Sequence, residues 1–316
     1  MDDDRRKGER GADCGPVMVT GASGFVGRAI VEALRNRGEH VIALARSVPS
    51  TGHAGTRWIA ADLLEPGAAR PLFERYKPRR LIHAAWARSE GAGLWHLEAN
   101  WAWRDASLGL FRDFWDATGG HVVACGTCAE YDPPSEGDCI EDVTPIRPSS
   151  TYGRAKAELA DRAFEEVQRL GGSLTWARLF YLFGRHEDPA RLVPHIIDRL
   201  LRGETAEIGS GRAVRDFAYM GDIADALAEL AGMRTTGAVN VASGSGIEIA
   251  ALARKVAAMV GGPGRLAIGA LPDRPGEAGR IVADISRLRR TIGRTPMSEL
   301  GAGLAATIES RRRIPL

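Results

Sequence analysis

Residues 20–27 read Thr20-Gly21-Ala22-Ser23-Gly24-Phe25-Val26-Gly27. They follow the apolar run Val17 to Thr20 and open a helical pattern over 25–37. Nothing else in the chain narrows the fold as much. Three glycines spaced by three at a first strand–helix junction have separate jobs. The first permits a tight turn with φ > 0, the second lets a phosphate approach the backbone, and the third lets helix and strand pack closely. The helix N-terminus then offers free N–H groups and the positive end of its dipole to a pyrophosphate. Gly21, Ser23, Gly24, Phe25, Val26 and Gly27 are therefore candidate dinucleotide contacts.

The pattern beyond the turn agrees. Strands are predicted over 17–20, 40–45, 57–61, 80–84, 121–126 and 173–180, and helices over 25–37, 68–76, 94–118 and 152–170. Strands alternating with helices imply βαβ units, hence an α/β fold with a doubly wound parallel sheet of Rossmann type. After Phe180 the alternation loosens. Helices are predicted over 192–202, 221–232, 247–260 and 298–311, one strand over 238–241, and loop over 261–279. The expected division is a disordered tail at 1–15, a dinucleotide-binding domain at 16–180, and a smaller C-terminal lobe mainly within 181–316. Residues 219–242 are expected to return to the main sheet. Ligands of such folds sit in the crevice at the C-terminal strand ends, so the smaller lobe is expected to bind substrate.

Composition weighs the remaining signals. The net charge of +2, from 42 basic and 40 acidic residues, argues against a nucleic-acid partner. No apolar stretch is long enough to span a membrane. Cys14, Cys125, Cys128 and Cys139 form no disulfide framework, and residues 1–15 lack an apolar signal core, so a cytoplasmic location is expected. Only Lys7, Lys77, Lys156 and Lys255 are lysines, and only Asn36, Asn100 and Asn240 are asparagines. A suggestively placed arginine therefore counts for little here, and a lysine or asparagine for more.

NAD binders usually carry an acid at the end of the second strand. Here that strand ends Leu44-Ala45-Arg46-Ser47. The missing acid, with Arg46 available to a 2′-phosphate, favours NADP, with NAD as the alternative. Asp62 and Leu63, after the third strand, are candidate adenine-side contacts, although Asp62 also suits a turn cap.

Tyr152 and Lys156 stand four apart at a helix start, on one face. An ammonium near a phenol favours the phenolate, and a phenol so tuned can exchange a proton with a substrate oxygen. With five tyrosines and four lysines, a chance Tyr-x-x-x-Lys is expected about 0.06 times. Cys125-x-x-Cys128 has metal or redox spacing but no second pair, and is read as packing; no metal is expected. Five of the seven tryptophans fall within 86–115. They suit core or a subunit interface, with Trp86 and Trp95 nearest the crevice and Trp86 a candidate to stack on a substrate ring.

Taken in order, Gly21-x-x-Gly24-x-x-Gly27, Thr127 after the fifth strand, and Tyr152-x-x-x-Lys156 resemble the extended short-chain dehydrogenase/reductase family, the type acting on nucleotide sugars. The resemblance runs from Val17 to about Arg290. It implies that Thr127 hydrogen-bonds the reacting oxygen, Tyr152 is the acid/base, and Lys156 holds the nicotinamide ribose. It places Asn100 at the family's helix asparagine and Ala84-Ala85 beside the cofactor. Arg215-Asp216-Phe217 and Arg274-Pro275-Gly276 resemble segments whose arginines contact the substrate diphosphate, and Asn240 falls in a segment like the family's Asn-Val-x-x-Gly. The family often has Asn after its Arg-x-Phe segment, where this chain has Tyr181, so Tyr181 takes that substrate position. Pairing of two copies through the long helix and the Tyr152 helix is also implied.

The departures bear on the reaction. The family's 4,6-dehydratases carry Asp-Glu after the threonine, and its decarboxylases keep the Glu. Here those positions are Cys128 and Ala129, so elimination and decarboxylation are disfavoured. The expected activity is NADPH-dependent reduction of a keto group on a nucleoside-diphosphate sugar, such as a 4-keto-6-deoxy sugar. The alternative is a nucleotide-sugar 4-epimerase.

Overall fold

A computed structural model describes residues 15–49, 55–87, 93–273, 276–294 and 297–313. Most of the expected tail, and Arg274, lie outside these residues. In chain order the elements are β1 (Val17–Thr20), α1 (Phe25–Asn36), β2 (Val41–Ala45), β3 (Thr56–Ala60), α2 (Arg70–Tyr76), β4 (Arg80–His83), α3 (Ala99–Thr118), β5 (His121–Thr127), α4 (Thr151–Leu170) and β6 (Ser173–Leu179). There follow β7 (Tyr181–Phe183), α5 (Leu192–Leu201), β8 (Ala206–Ile208), β9 (Val214–Tyr219), α6 (Met220–Met233), β10 (Gly237–Val241), β11 (Gly246–Glu248), α7 (Ile249–Val260), β12 (Leu266–Ile268), β13 (Arg280–Ile281), α8 (Ser286–Ile292) and α9 (Leu300–Arg312).

Seven strands form the main sheet in the order β10-β6-β5-β4-β1-β2-β3. Every pairing is parallel. The fold is therefore α/β with a doubly wound, Rossmann-like parallel sheet. β1, β2, β4 and β5 are buried along their whole length, as strands covered on both faces must be. One face packs Ile30 and Leu34 of α1, Leu227 of α6 and Leu288 of α8 into one core. The other packs Phe73 of α2, Phe111, Phe114 and Trp115 of α3, and Leu159 of α4. The chain leaves β1 toward β2 on one side and β4 on the other, and this reversal opens a crevice above the strand ends.

A third core joins Ile196 of α5, Leu252 and Val256 of α7, and Leu304 of α9. Beside it, β9 pairs with β11 and β13 through Val214 and Arg215, and with β7 through Phe217 to Tyr219. No helix among the described residues is long and apolar enough to cross a membrane.

Two predicted helices differ in the structure. The one expected over 94–118 is a 3-10 turn, Gly93–His96, followed by α3 from Ala99. The one expected from 247 begins at Ile249, because Gly246–Glu248 is instead held as β11 against β9.

Candidate active site

A cleft of about 1900 Å³ lies over the sheet's C-terminal edge. Its walls include Gly21, Thr127, Tyr152, Lys156, Arg215 and Glu277. The glycine turn forms one part. A Cβ on Gly27 would stand 2.1 Å from the Gly21 carbonyl oxygen, so only glycine lets α1 approach this closely. No side chain caps α1 and no acid stands in its first turn. Its N–H groups and dipole therefore remain available to a phosphate. These are the features a dinucleotide requires, and the residues present fit one. Ser23, Gly24, Phe25, Val26, Arg46, Leu63, Ala84 and Ala85 line the same cleft. Arg46 is exposed at its rim.

Thr127 ends β5, and Tyr152 stands in the first turn of α4. Two devices bring them together. Ser150 caps α4, its hydroxyl accepting from the Gly153 N–H at 3.0 Å. Gly153 lets the helix meet the turn after β5, where an added Cβ would fall 2.3 Å from the Ala129 carbonyl oxygen. Thr127 Oγ1 accepts from the Ala129 N–H at 3.2 Å and directs its own proton to the Tyr152 hydroxyl oxygen.

Lys156 is 3% exposed. Its Nζ donates to the Cys125 carbonyl at 2.8 Å and lies 3.6 Å from the centre of the Trp86 ring. Burial draws its pKa down to about 8, opposed by Glu130. Lys156 follows Tyr152 by one turn of α4, and the expectation is that it favours the phenolate of the Tyr152 hydroxyl. Burial pushes that hydroxyl above its ordinary range, and the hydrogen bond with Thr127 opposes the shift.

The carboxylate in this segment is Glu130, fully buried and turned away from the cleft. It accepts from the Thr127 N–H at 2.8 Å, from Trp176 Nε1 at 3.0 Å and from Arg178 Nε at 2.7 Å. Arg178 continues to the Tyr131 hydroxyl, which donates to Asn240 Oδ1. Sequence reading missed Glu130, although Thr127-x-x-Glu130 is a capping-box spacing, and the structure closes that box. Cys128 and Cys125 are buried free thiols, each pushed up by burial.

On the far wall, Arg215 is 1% exposed. It pairs with Glu277 at 2.8 Å and lies over the Tyr181 ring at 5.5 Å. Tyr181, Trp86 and Arg215 all line the cleft, as do Glu187 and Glu277, which sequence reading did not single out. Three expected contacts are placed elsewhere. Ser47 lies outside the cleft lining. Asp62 also lies outside it, its carboxylate accepting from the Leu64 N–H at 3.1 Å as a turn cap. Asn100 is fully buried, with its amide committed to Trp86 Nε1 and to the Leu94 and Leu97 carbonyls. Its spacing in the helix matched the family position, but its side chain points at the indole rather than the cleft.

Comparison with known proteins agrees with this layout. The model of the NAD dependent epimerase/dehydratase family matches residues 17–242. A dTDP-glucose 4,6-dehydratase of Xanthomonas campestris pv. campestris is 26% identical, over 92% of this chain and 92% of its own length. The UDP-glucose 4-epimerase of Thermus thermophilus, solved with NAD, superposes with a TM-score of 0.85 at 26% identity, covering 95% of this chain and 100% of that one. MoeE5, solved with UDP-glucuronic acid and NAD, gives 0.81 at 28% identity, covering 95% and 99%. With its sheet order, glycine turn and family match, this chain belongs to the NAD-dependent epimerase/dehydratase family.

Proposed function

We propose that the protein reduces a keto group on a nucleoside-diphosphate sugar, with NADPH as hydride source. The observation that carries this reading is the wall around Thr127 and Tyr152. Cys128 and Ala129 stand where elimination or decarboxylation would need acids, and Glu130 is spent on Thr127, Trp176 and Arg178. That leaves a site suited to hydride and proton exchange at one carbon.

The nicotinamide, when bound, supplies the hydride. Tyr152 gives its hydroxyl proton to the substrate oxygen as charge develops there, and solvent restores that proton. Thr127 donates a hydrogen bond to the same oxygen. Lys156 stands behind Tyr152 and favours the transient phenolate. Gly21 to Gly27 and Ala84-Ala85 hold the dinucleotide. Arg46, exposed after β2 with no acid beside it in sequence, takes the 2′-phosphate, which supports NADPH over NADH. Arg215 and Tyr181 take the substrate diphosphate side, with Trp86 and Arg274 completing the substrate contacts expected from sequence.

The test is NADPH oxidation over a panel of nucleotide keto sugars. The wild type turns over at least one of them, and Tyr152→Phe lowers kcat by about 10²–10⁴-fold. A Tyr152→Phe enzyme with full turnover would sink the mechanism. Epimerisation is the second reading, supported by the likeness to an epimerase solved with NAD. Interconversion of 4-epimers without net NADPH use, by protein that keeps NAD through purification, would favour it over reduction.

A further inference from the structure

Trp86 follows β4 within three residues and touches both members of the Tyr152–Lys156 pair. Its indole face lies against the Lys156 ammonium, 3.6 Å from the ring centre. Its ring and that of Tyr152 meet edge to face, at a centroid distance of 6.2 Å and an interplanar angle of 74°. The indole is fixed from its other end. Trp86 Nε1 donates to Asn100 Oδ1 at 2.7 Å. Asn100 Nδ2 donates to the Leu94 carbonyl at 2.8 Å and to the Leu97 carbonyl at 2.7 Å. With both donors engaged on carbonyls, the amide can present only its oxygen to the indole.

We propose that Trp86 is a positioning residue for proton transfer: its indole face holds the Lys156 ammonium beside Tyr152, and Asn100 fixes the indole. This rests on the reading of Tyr152 and Lys156 as the proton-transfer pair. The physical reason is charge. A carboxylate partner would hold the ammonium, but its negative charge would further disfavour the Tyr152 phenolate. An aromatic face attracts the cation through its quadrupole and adds no net charge. The other groups acting on Lys156 are Glu130 after β5, which favours its charged form, and Cys125 on β5, which burial keeps as a neutral thiol near neutrality. His83 on β4 is also within its field and stays neutral through the physiological range. Tyr152 stands one turn away on the same helix. Burial draws Lys156 down to about 8, so a weak partner decides how much of it is charged near neutrality.

The chain's four lysines make the test direct. Protein labelled with [13Cε]lysine gives four side-chain signals, and the signal missing from Lys156→Arg is that of Lys156. Titration of the folded protein reads its midpoint without substrate or turnover. Trp86→Leu lowers that midpoint by about one unit, and Trp86→Phe, which keeps a ring face, lowers it by less than half as much. Equal shifts in both variants, or no shift in either, would overturn the proposal. Circular dichroism and melting temperature establish that each variant is folded; if the leucine variant is not, Trp86→Phe is read against wild type, where a fall of less than half a unit supports the proposal and a fall of a full unit or more, or none, overturns it. A midpoint shift in Trp86→Leu with full turnover in Tyr152→Phe would leave the pairing standing and remove the proton-transfer reading.

Discussion

Gly153→Ala tests how α4 delivers Tyr152. An alanine Cβ would stand 2.3 Å from the Ala129 carbonyl oxygen and 2.8 Å from Pro148 Cβ, where ordinary contact begins at 3.4 Å. The helix start or the turn after β5 must therefore yield by roughly 1 Å, as carbon and oxygen cannot overlap at that range. Overpacking of this kind costs about 1–3 kcal/mol. With an unfolding entropy of about 2.1 cal/mol/K per residue, 2 kcal/mol lowers Tm by about 3 °C. Activity is expected to fall further than stability, because a displacement of about 1 Å between reacting groups can cost about 10²-fold. The control is Gly109→Ala in α3, where an added Cβ meets nothing within 4 Å. Helix propensity makes that change neutral or stabilising by up to about 1 kcal/mol. The assay is a melting curve with kcat/KM on whichever panel substrate the wild type accepts. Wild-type Tm and turnover in Gly153→Ala would refute the idea that this close approach sets the Thr127–Tyr152 geometry.

Two further outcomes follow from named side chains. Arg46→Ala is expected to raise the KM for NADPH by roughly 10–100-fold, the loss of a charge-assisted hydrogen bond, and to leave NADH little changed; an unaltered NADPH-to-NADH ratio would rule out a 2′-phosphate contact. Burial holds His83 down at about 3 against an ordinary 6.5, so the unfolded chain takes up that proton first as pH falls below 6.5. Stability carried by neutral His83 is thus whole above pH 6.5 and is lost progressively toward pH 3, by about 3 kcal/mol at pH 4.5. Urea midpoints of wild type and His83→Gln should converge or cross over that range, and parallel curves would refute the assignment.

How much of this was legible in the sequence follows from the range of the interactions involved. The main sheet was legible because each of its central strands is a buried apolar run beside an amphipathic helix, a local pattern. The helices of the smaller lobe were legible too, but its strands were not, because β8, β11, β12 and β13 have two or three residues each and no period to read. β9 is longer, but it buries Arg215 and Asp216 in its middle. Asp216 survives there by accepting from the Ser243, Gly244 and Ala283 N–H groups, contacts from distant segments that no local rule foresees. Asn100 shows the converse. Its place in the helix was readable, but the direction of its amide depended on carbonyls in the turn before α3.

The same distinction explains an oddity of composition. Arginine supplies 38 of the 42 basic residues, yet position 156 is lysine. Arg178 and Arg215 are also buried, and each faces a carboxylate, Glu130 or Glu277. There a permanent charge with a fixed fork of donors is suitable. Position 156 faces a carbonyl and an aromatic ring instead. A guanidinium would remain charged in that pocket at any working pH, and its planar head would not sit on the single Cys125 carbonyl. An ammonium is compact, and burial can bring its titration near neutrality. A chain that uses arginine nearly everywhere thus keeps lysine at a site where charge must be both present and adjustable, and this is why Lys156 carried more information than any of the arginines.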